Sequence, residues 1–444
     1  MEQNKQQKRP FEKVVIAGAG PAGLLLSLLL AKHGIPSLVL EAWPALDTRL
    51  RATQYGVPAT RIFRQAGILD AIRAVSIPAS AFSEISWRRI ANNHEKLVTL
   101  DMSCVAGHED RMTVIPLGDL VKIMYQKAVE EFEGLIEVRF GWRVVVVGQA
   151  EGGEGAWVDV DVDLGPEEGV RRERVEAGFV VGCDGAGSTV RKTLFGHEWP
   201  GTTFDQRIIV QNVWYDGFEK HSWNGGTYIV DNDTWAMVAR RGKAGLWRVT
   251  YGDVGGLTDD EYLARRPYRL EKILPGHPKP NEYQIGETNI YKMHNRCVEK
   301  MRVGRILLAG DAAHVCNPWG GYGCMSAVLD AGGLADCLVG YYEGKADENI
   351  LDKYAEIRRE KWIKYVDVRS RKNFDRVSKA DPWTVMETDK FMGILRELEG
   401  DEEKRRAFLL NWSSIEYDFT QHYKTANVQK EEQVVDEQDL RLVR

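Results

Sequence analysis

The chain has 444 residues, a net charge of −6, and 43% hydrophobic against 28% charged residues. That length suits two or three packed domains, and the mild acidity gives no argument for nucleic acid or an anionic membrane as partner. The 6 cysteines lack CxxC or zinc spacing, so we expect reduced thiols, no metal site and a cytoplasmic protein. The opening MEQNKQQKRP has no signal-peptide core, and the apolar run LLLSLLLA is too short to span a membrane.

The first motif is VVIAGAGPAGLLLSLLLAKHGIPSLVLE, which predicts a strand, a glycine turn, an apolar helix and a second strand. Gly18 permits the tight turn, Gly20 lets a pyrophosphate approach the backbone, and Gly23, which follows Ala22, allows close packing of helix on strand. Glu41, at the end of the second strand, is placed to accept hydrogen bonds from a ribose. The pattern indicates a dinucleotide site without distinguishing NAD from FAD. The alternative is a glycine-rich turn in an unrelated α/β fold.

The second motif is AGFVVGCDGAGSTVRKTL. It predicts a buried strand that ends at Asp184 and Gly185, a turn of small residues, and a helix that carries Arg191. A turn of this kind with Ser188 as a helix cap explains the pattern equally well, without any ligand.

The third motif is GRILLAGDAAHVCNPWGGYG. RILLAG predicts a strand with Asp311 at its carboxyl end, where ligands bind in open α/β sheets. The loop that follows is expected to have an open backbone with room for a flat ring, because it contains Pro318, Gly320, Gly321 and Gly323. A helix is expected to start near Ser326, and its N-terminus favours nearby negative charge.

Together, and in this order, the three stretches resemble the class A flavoprotein monooxygenases, the para-hydroxybenzoate hydroxylase family, from about residue 11 to 342. The resemblance implies one non-covalent FAD, reduced by NADH or NADPH. A flavin hydroperoxide then transfers oxygen from O2 to an electron-rich phenolic or polyketide-type substrate, as in fungal polyketide-pathway phenol hydroxylases, with or without dearomatising the ring. It also allows a homodimer. Open alternatives are an FAD-dependent dehydrogenase or reductase, an epoxidase, and a non-catalytic FAD sensor.

The resemblance also implies a role for individual positions. Glu41 would bind the adenosine ribose, Asp311 the ribitol and phosphate region, and Arg51 the flavin, with Arg49 close behind. Asp184 would contact FAD near the path of the nicotinamide cofactor, and Arg191 would support its loop. The remaining cofactor contacts implied are Gly18, Gly20, Ala22, Gly23, Pro318, Gly320, Gly321, Gly323 and Cys324.

The expected fold class is α/β, with a discontinuous FAD-binding domain of Rossmann type, an inserted antiparallel sheet and a helical C-terminus. The FAD domain is expected at 11–78, 112–196 and 288–344, and the substrate sheet at 79–111 and 197–287. Helices follow at 345–427 and a disordered tail at 428–444. TTFDQRIIVQNVWYDGF, GGTYIVDNDTWAMVARR and GLWRVTYGD alternate with period two and predict the strands of the inserted sheet.

A phenol reacts best with an electrophile as its phenolate, which a nearby cation stabilises. Arg207, on the first strand of the inserted sheet, is our candidate for that cation, and Arg240 or Arg241 is the alternative. A strand arginine more often pairs at the surface, and aromatic residues in a sheet more often form the core. The candidate aromatic walls of the substrate pocket are Tyr228, Trp235, Trp247 and Tyr251. His314 is expected to be structural rather than a base.

Overall fold

A computed structural model of the chain describes residues 9–49, 51–165, 168–241 and 245–424. The tail predicted to be disordered, 428–444, lies outside the described residues.

The strands in chain order are β1 (Val14–Ala17), β2 (Ser37–Glu41), β3 (Gln54–Tyr55), β4 (Glu84–Arg88), β5 (Lys96–Asp101), β6 (Thr113–Val114), β7 (Ile136–Phe140), β8 (Trp142–Gln149), β9 (Ala156–Asp163), β10 (Val170–Ala177), β11 (Phe179–Gly182), β12 (Gly201–Trp214), β13 (Gly225–Ile229), β14 (Ala236–Arg240), β15 (Leu246–Asp253), β16 (Gln284–Cys297), β17 (Arg302–Val303), β18 (Ile306–Leu308) and β19 (His314–Val315).

The helices are α1 (Pro21–Ala31), α2 (Val57–Gln65), α3 (Leu69–Val75), α4 (Ala91–His94), α5 (Leu117–Glu131), α6 (Thr189–Phe195), α7 (Gly217–Lys220), α8 (Asp259–Ile273), α9 (Tyr322–Tyr342), α10 (Ile350–Lys361), α11 (Val368–Ser378), α12 (Val385–Thr388), α13 (Lys390–Glu399) and α14 (Glu402–Leu410).

A six-stranded sheet in the order β17-β18-β11-β1-β2-β7 forms the first layer. Strands β18, β11, β1, β2 and β7 pair in parallel, and only β17 is antiparallel to its neighbour. All four residues of β1 and of β11 are buried, as expected for parallel strands covered on both faces. The three sequence motifs follow β1, β11 and β18, which are neighbours, so their loops meet at one edge of this sheet.

An eight-stranded sheet in the order β19-β16-β12-β15-β14-β13-β4-β5 forms the second layer. Strands β4 and β5 come from the segment 79–111, and β4 pairs with β13 of this sheet. Strand β16 pairs with β12 as far as Arg296. The expected domain boundary at 287 falls inside this strand, and the division of the chain into domains stays a prediction.

The C-terminal region is helical, as predicted. Helices α10 and α11 are joined by a π-helical turn at Trp362–Asp367. One helix, α9, is long and apolar enough to cross a membrane, but 83% of the window that meets that test is buried within the described fold. Helix α9 packs against α1, α2 and α10 and is therefore the core helix of the protein.

Candidate functional site

One large cavity, with a volume of about 1960 Å³, lies between the loops at the edge of the six-stranded sheet, one face of the eight-stranded sheet, and the C-terminal helices. Pockets for drug-sized ligands usually measure roughly 300–1,000 Å³. The cavity can therefore hold more than one such molecule, which suits a dinucleotide together with a second ligand.

The first glycine loop forms one end of this cavity. A Cβ atom on Gly23 would lie 2.0 Å from the carbonyl oxygen of Gly18, and one on Gly18 would lie 2.5 Å from that of Cys183. These two glycines are therefore required by packing within the protein. Gly20 lines the cavity, and no heavy atom lies within 4 Å of the place its Cβ would take. Its missing side chain leaves space for a ligand, beside the N-terminus of α1.

Glu41 lines the same end. Its carboxylate accepts hydrogen bonds from the backbone N–H groups of Ala19, at 2.8 Å, and Trp43, at 3.0 Å. These bonds fix the carboxylate at the edge of the cavity and leave it lone pairs for two ribose hydroxyls. Trp43, 56% exposed, extends this wall.

The Asp184 loop reaches the cavity from β11. The Asp184 carboxylate accepts from the Thr189 N–H at 2.7 Å, and Ser188 caps α6 by accepting from the Arg191 N–H at 3.0 Å. The capping alternative is therefore correct for Ser188, and Asp184 shares that task while it lines the cavity. Burial raises the pKa of Asp184. Arg191 donates to the carbonyls of Ala186, at 2.7 Å, and Ala312, at 3.1 Å, and so joins two motif loops.

Asp311 and Arg51 both line the cavity. Enclosure by the protein raises the pKa of the Asp311 carboxyl, and the positive charges of His314 and Arg51 oppose that shift. Arg49 pairs with Asp47 at 2.8 Å, and Arg51 also approaches that carboxylate, at 3.9 Å. Both arginines line the cavity, and Arg51 is the one whose charge acts on the Asp311 carboxyl.

Helix α9 begins at Tyr322, four residues before the predicted start at Ser326. The reason is Gly321, which takes the N-cap position with φ of 70°, a conformation that glycine adopts freely. Gly321 and Gly323 have open space where a Cβ would stand, apart from the Cys316 sulfur at 4.0 Å. Pro318, Gly320 and Cys324 also line the cavity. The free N–H groups of this helix start therefore favour negative charge in the cavity.

A buried ion network that sequence reasoning missed holds this loop from behind. Asp330 of α9 accepts from the Gly310 N–H at 2.9 Å, and its carboxylate lies 2.7 Å from His314 Nε2 and 2.8 Å from Arg358 Nε. Burial alone would raise the pKa of Asp330, but His314 and Arg358 lower it to about 2. His314 is thus structural, as expected. The available signal was a carboxylate within an apolar helical stretch, where Asp330 is one of the two aspartates of α9.

The two faces of the eight-stranded sheet separate the predicted substrate residues. The prediction that Arg207 faces the cavity is wrong, since Arg207 does not line it and pairs in register with Asp253 on the opposite face. Trp247 and Tyr251 lie on that same opposite face, fully buried in a core with α8. Trp235 packs edge-on against Trp319 at 5.1 Å in another core cluster. Successive residues of a strand point to opposite faces of the sheet. A shift of one residue along the strand therefore decides whether a side chain faces the cavity or the core behind the sheet.

Of the predicted aromatic walls, Tyr228 does line the cavity, and so does Arg248, an arginine that was not among the predicted residues. Tyr228 stacks on Trp87 at 5.4 Å, and burial raises its pKa to about 12. Arg248 donates to the Asn212 amide oxygen at 3.4 Å and to the backbone carbonyl of Arg51. Burial lowers the pKa of Arg248 to about 10, and the negative charge of Glu287 opposes that shift, so Arg248 remains charged at neutral pH. The acceptors of its hydrogen bonds within the described residues are the neutral oxygens of Asn212 and Arg51. Of the alternatives, Arg240 pairs with Glu219 at 3.5 Å and Arg241 donates to Asn212 at 2.8 Å.

The C-terminal helices close the cavity, a role that the sequence did not reveal. Five polar residues of α11 line it, and four of them are spaced as one helical face. The four are Arg369, Lys372, Asn373 and Arg376, and the fifth is Asp375. Asn373 approaches the motif loop so closely that a Cβ on Gly320 would lie 2.5 Å from its amide nitrogen.

Residues 12–368 match the family model described as FAD binding domain. The chain is 33% identical over 409 residues to para-nitrophenol 4-monooxygenase from Pseudomonas sp. (strain WBC-3), which covers 91% of this chain and 96% of that protein. It is 32% identical over 367 residues to 6-hydroxy-3-succinoylpyridine 3-monooxygenase HspB from Pseudomonas putida (strain DSM 28022 / S16), covering 82% and 88%.

Solved structures share the fold. The p-nitrophenol 4-monooxygenase PnpA from Pseudomonas putida DLL-E4 superposes with a TM-score of 0.80 at 30% identity, covering 91% of this chain and 98% of that one. A ternary complex of aklavinone-11 hydroxylase with FAD and aklavinone gives a TM-score of 0.69 at 24% identity, covering 82% and 69%.

Proposed function

This chain belongs to the FAD-binding domain family and is an FAD-dependent aromatic monooxygenase, and we propose that it hydroxylates a phenol that it binds as the phenolate against Arg248. The observation that carries the proposal is a buried guanidinium on the cavity face of the substrate sheet whose acceptors are neutral. The residues of the cavity fit an FAD, since open space at Gly20 and at the start of α9 adjoins the carboxylates of Glu41 and Asp311.

We propose that Gly20 and the α1 N-terminus face the pyrophosphate, Glu41 the ribose, and Asp311 the ribitol. Bound FAD supplies the redox chemistry, accepting electrons from NADH or NADPH and activating O2 so that one oxygen atom reaches the ring. The start of α9 contributes N–H groups that stabilise the negative charge of the reduced ring system. Arg51 adds a positive charge on the same side as Asp311.

Arg248 acts on the substrate. A cation at a buried site favours the ionised form of a phenol, and the ionised oxygen raises the electron density of the ring that is to be attacked. Asn212 holds the guanidinium in place. One charge-assisted hydrogen bond contributes roughly 1.5–3 kcal/mol, which equals a shift of about one to two units in the pKa of the bound phenol.

The test uses 4-nitrophenol, whose phenolate can be followed by its visible absorbance, bound to the FAD-loaded protein over a range of pH. We expect the bound phenol to ionise one to two units below the free phenol. Arg248→Met should remove that shift, while Arg207→Gln on the opposite face of the sheet should retain it. Equal pKa values for bound and free phenol would contradict the phenolate proposal.

A parallel assay of NADH and NADPH oxidation, O2 consumption and product mass reads the hydroxylation itself. With Arg248→Met we expect continued NAD(P)H oxidation, roughly ten- to a hundredfold less hydroxylated product, and hydrogen peroxide in its place. Full product yield from Arg248→Met would mean that another residue supplies the positive charge that stabilises the phenolate. The homodimer, the cytoplasmic location and the choice between NADH and NADPH stay predictions.

A further inference from the structure

We propose that the substrate is a phenol with a long apolar substituent, which occupies an apolar arm of the cavity that leads away from Arg248. This proposal rests on the proposed function and deepens it. The apolar arm is defined by two walls, a sheet wall and a helix wall, with the members Ile85, Leu100, Met237, Ala239, Ile394 and Phe408, all of which line the cavity.

The sheet wall follows one row of residues across five neighbouring strands, β15, β14, β13, β4 and β5. Starting from Arg248, the residues in direct register are Ala239, Gly226, Ile85 and Leu100. Residues in direct register share a face, and neighbouring strands lie about 4.8 Å apart, so the row extends for roughly 19 Å. Past the arginine the row contains only small and apolar residues. An aliphatic or aryl group attached to a phenol at Arg248 can therefore leave along this row over Ala239. At Gly226, which the ring of Phe82 covers, it has to turn toward the neighbouring row at Met237.

The second row of the same face has a similar character. Met237 follows Thr250 in register and leads to Tyr228 and Trp87, which are stacked. The ring of Phe82 lies over Gly226, 3.2 Å from where a Cβ would stand, and also lines the cavity. The two rows and Phe82 thus form an apolar trough rather than a flat surface.

The helix wall comes from α13 and α14. Ile394 and Phe408 are only half-buried although they belong to the core cluster between these helices and the sheet. Ile85 and Met237 of the sheet wall are half-buried in the same way. Large apolar side chains that line a cavity between two layers and retain exposed surface are available to bury an apolar ligand.

Charge distribution limits the chemistry of the occupant. The charged residues of α13 and α14 that line the cavity are Lys390, Glu397 and Lys404, and each is exposed. The helix wall is therefore apolar inside and polar where it meets solvent. An apolar substituent suits this gradient, whereas a compact ring would leave the apolar trough filled with water.

The experiment measures the dissociation constants of 4-alkylphenols, from methyl to hexyl, by the change they cause in the flavin absorbance of the FAD-loaded protein. Burial of one methylene corresponds to about fourfold in affinity, so we expect at least about a hundredfold gain across the series. A dissociation constant that stays level or rises with chain length would overturn the proposal. Product formation from phenol and 4-methylphenol is measured separately and reads the proposed hydroxylation, so the two can fail independently.

Variants locate the effect. Ile394→Trp should fill the arm and weaken 4-hexylphenol at least about tenfold, while phenol binding changes by less than about twofold. Ile363→Trp is the matched control, because Ile363 is 38% exposed and does not line this cavity, and it should leave both ligands unaffected. Ala239→Leu narrows the same arm from the sheet side. An equal loss for phenol and 4-hexylphenol in both arm variants would overturn the assignment of the arm.

Discussion

The two ends of the cavity are built in different ways. The cofactor end consists largely of three short loops, each of which follows a buried parallel strand and is recognisable within a few residues, together with carboxylates at strand ends such as Glu41 and Asp311. The substrate end consists of side chains on one sheet face and on helices more than a hundred residues further along the chain. Glycine spacing is a local property of the sequence, whereas the direction of a side chain depends on strand parity and packing. The cofactor end is therefore the end that a sequence specifies openly.

The largest expected effect tests whether the cofactor end depends on the charge buried behind it. Asp330→Asn leaves His314 and Arg358 without a carboxylate, and breaking a buried ion pair typically costs about 3–5 kcal/mol. Urea unfolding of the protein should show a loss of that size. FAD affinity should fall with it, because Asp330 also holds the Gly310 N–H.

The control is Asp336→Asn on the same helix. Burial and the neighbouring Asp418 raise the pKa of Asp336 to about 7, so this group is largely protonated below neutral pH. Replacing it should change the unfolding free energy little at pH 6. Equal losses from both variants would mean that the charge of Asp330 is not what stabilises the loop.

The next largest effect distinguishes, within the first glycine loop, a glycine that protein packing requires from a glycine that leaves room for the ligand. Gly23→Ala places a methyl group against the Gly18 carbonyl and should lower the unfolding free energy of the apoprotein by about 3 kcal/mol. Gly20→Ala should leave that free energy within about 0.5 kcal/mol, yet weaken FAD binding, because its methyl group projects into the cavity. Urea unfolding and FAD titration read the two properties. Normal FAD affinity in Gly20→Ala would place the pyrophosphate elsewhere.

A pH dependence follows from the same network. The pKa of Asp330 is about 2 in the folded protein and 3.8 ordinarily, so its contribution is fully present above pH 4 and is lost as the pH falls toward 2. The difference corresponds to about 2 kcal/mol. The stability difference between wild type and Asp330→Asn should therefore shrink over this interval. A constant difference from pH 5 to pH 2 would contradict the lowered pKa.

Sequence reasoning recovered the fold class and the three loops, since each loop has a local signature of glycines after a buried strand. It placed the start of α9 four residues late because Gly321 was read as loop rather than as a left-handed cap. Asp330 and Arg358 were missed because an ion pair between two helices leaves no regular spacing in the sequence by which it could be recognised. The lining face of α11 was missed for a similar reason, since its polar spacing fits a solvated helix equally well.

The smallest expected effect sharpens the contrast at the substrate end. Arg207 and Arg248 are strand arginines on opposite faces of one sheet, and Arg248 is the more buried of the two. The register neighbour of Arg207 is Asp253, whose carboxylate already pairs with Arg265 at 2.8 Å and Arg269 at 2.9 Å. Arg207→Gln therefore leaves that carboxylate satisfied.

We expect Arg207→Gln to change the unfolding free energy by no more than about 0.5 kcal/mol and product yield by less than about twofold. The matched substitution Arg248→Gln, on the cavity face, should lower product yield by roughly ten- to a hundredfold with FAD still bound. Urea unfolding, FAD content and the ratio of product to NAD(P)H consumed measure these outcomes side by side. If Arg207→Gln lowered the ratio of product to NAD(P)H consumed as much as Arg248→Gln does, a positive charge on either face of the sheet would support the reaction. The face on which the arginine lies would then not determine which residue acts on the substrate.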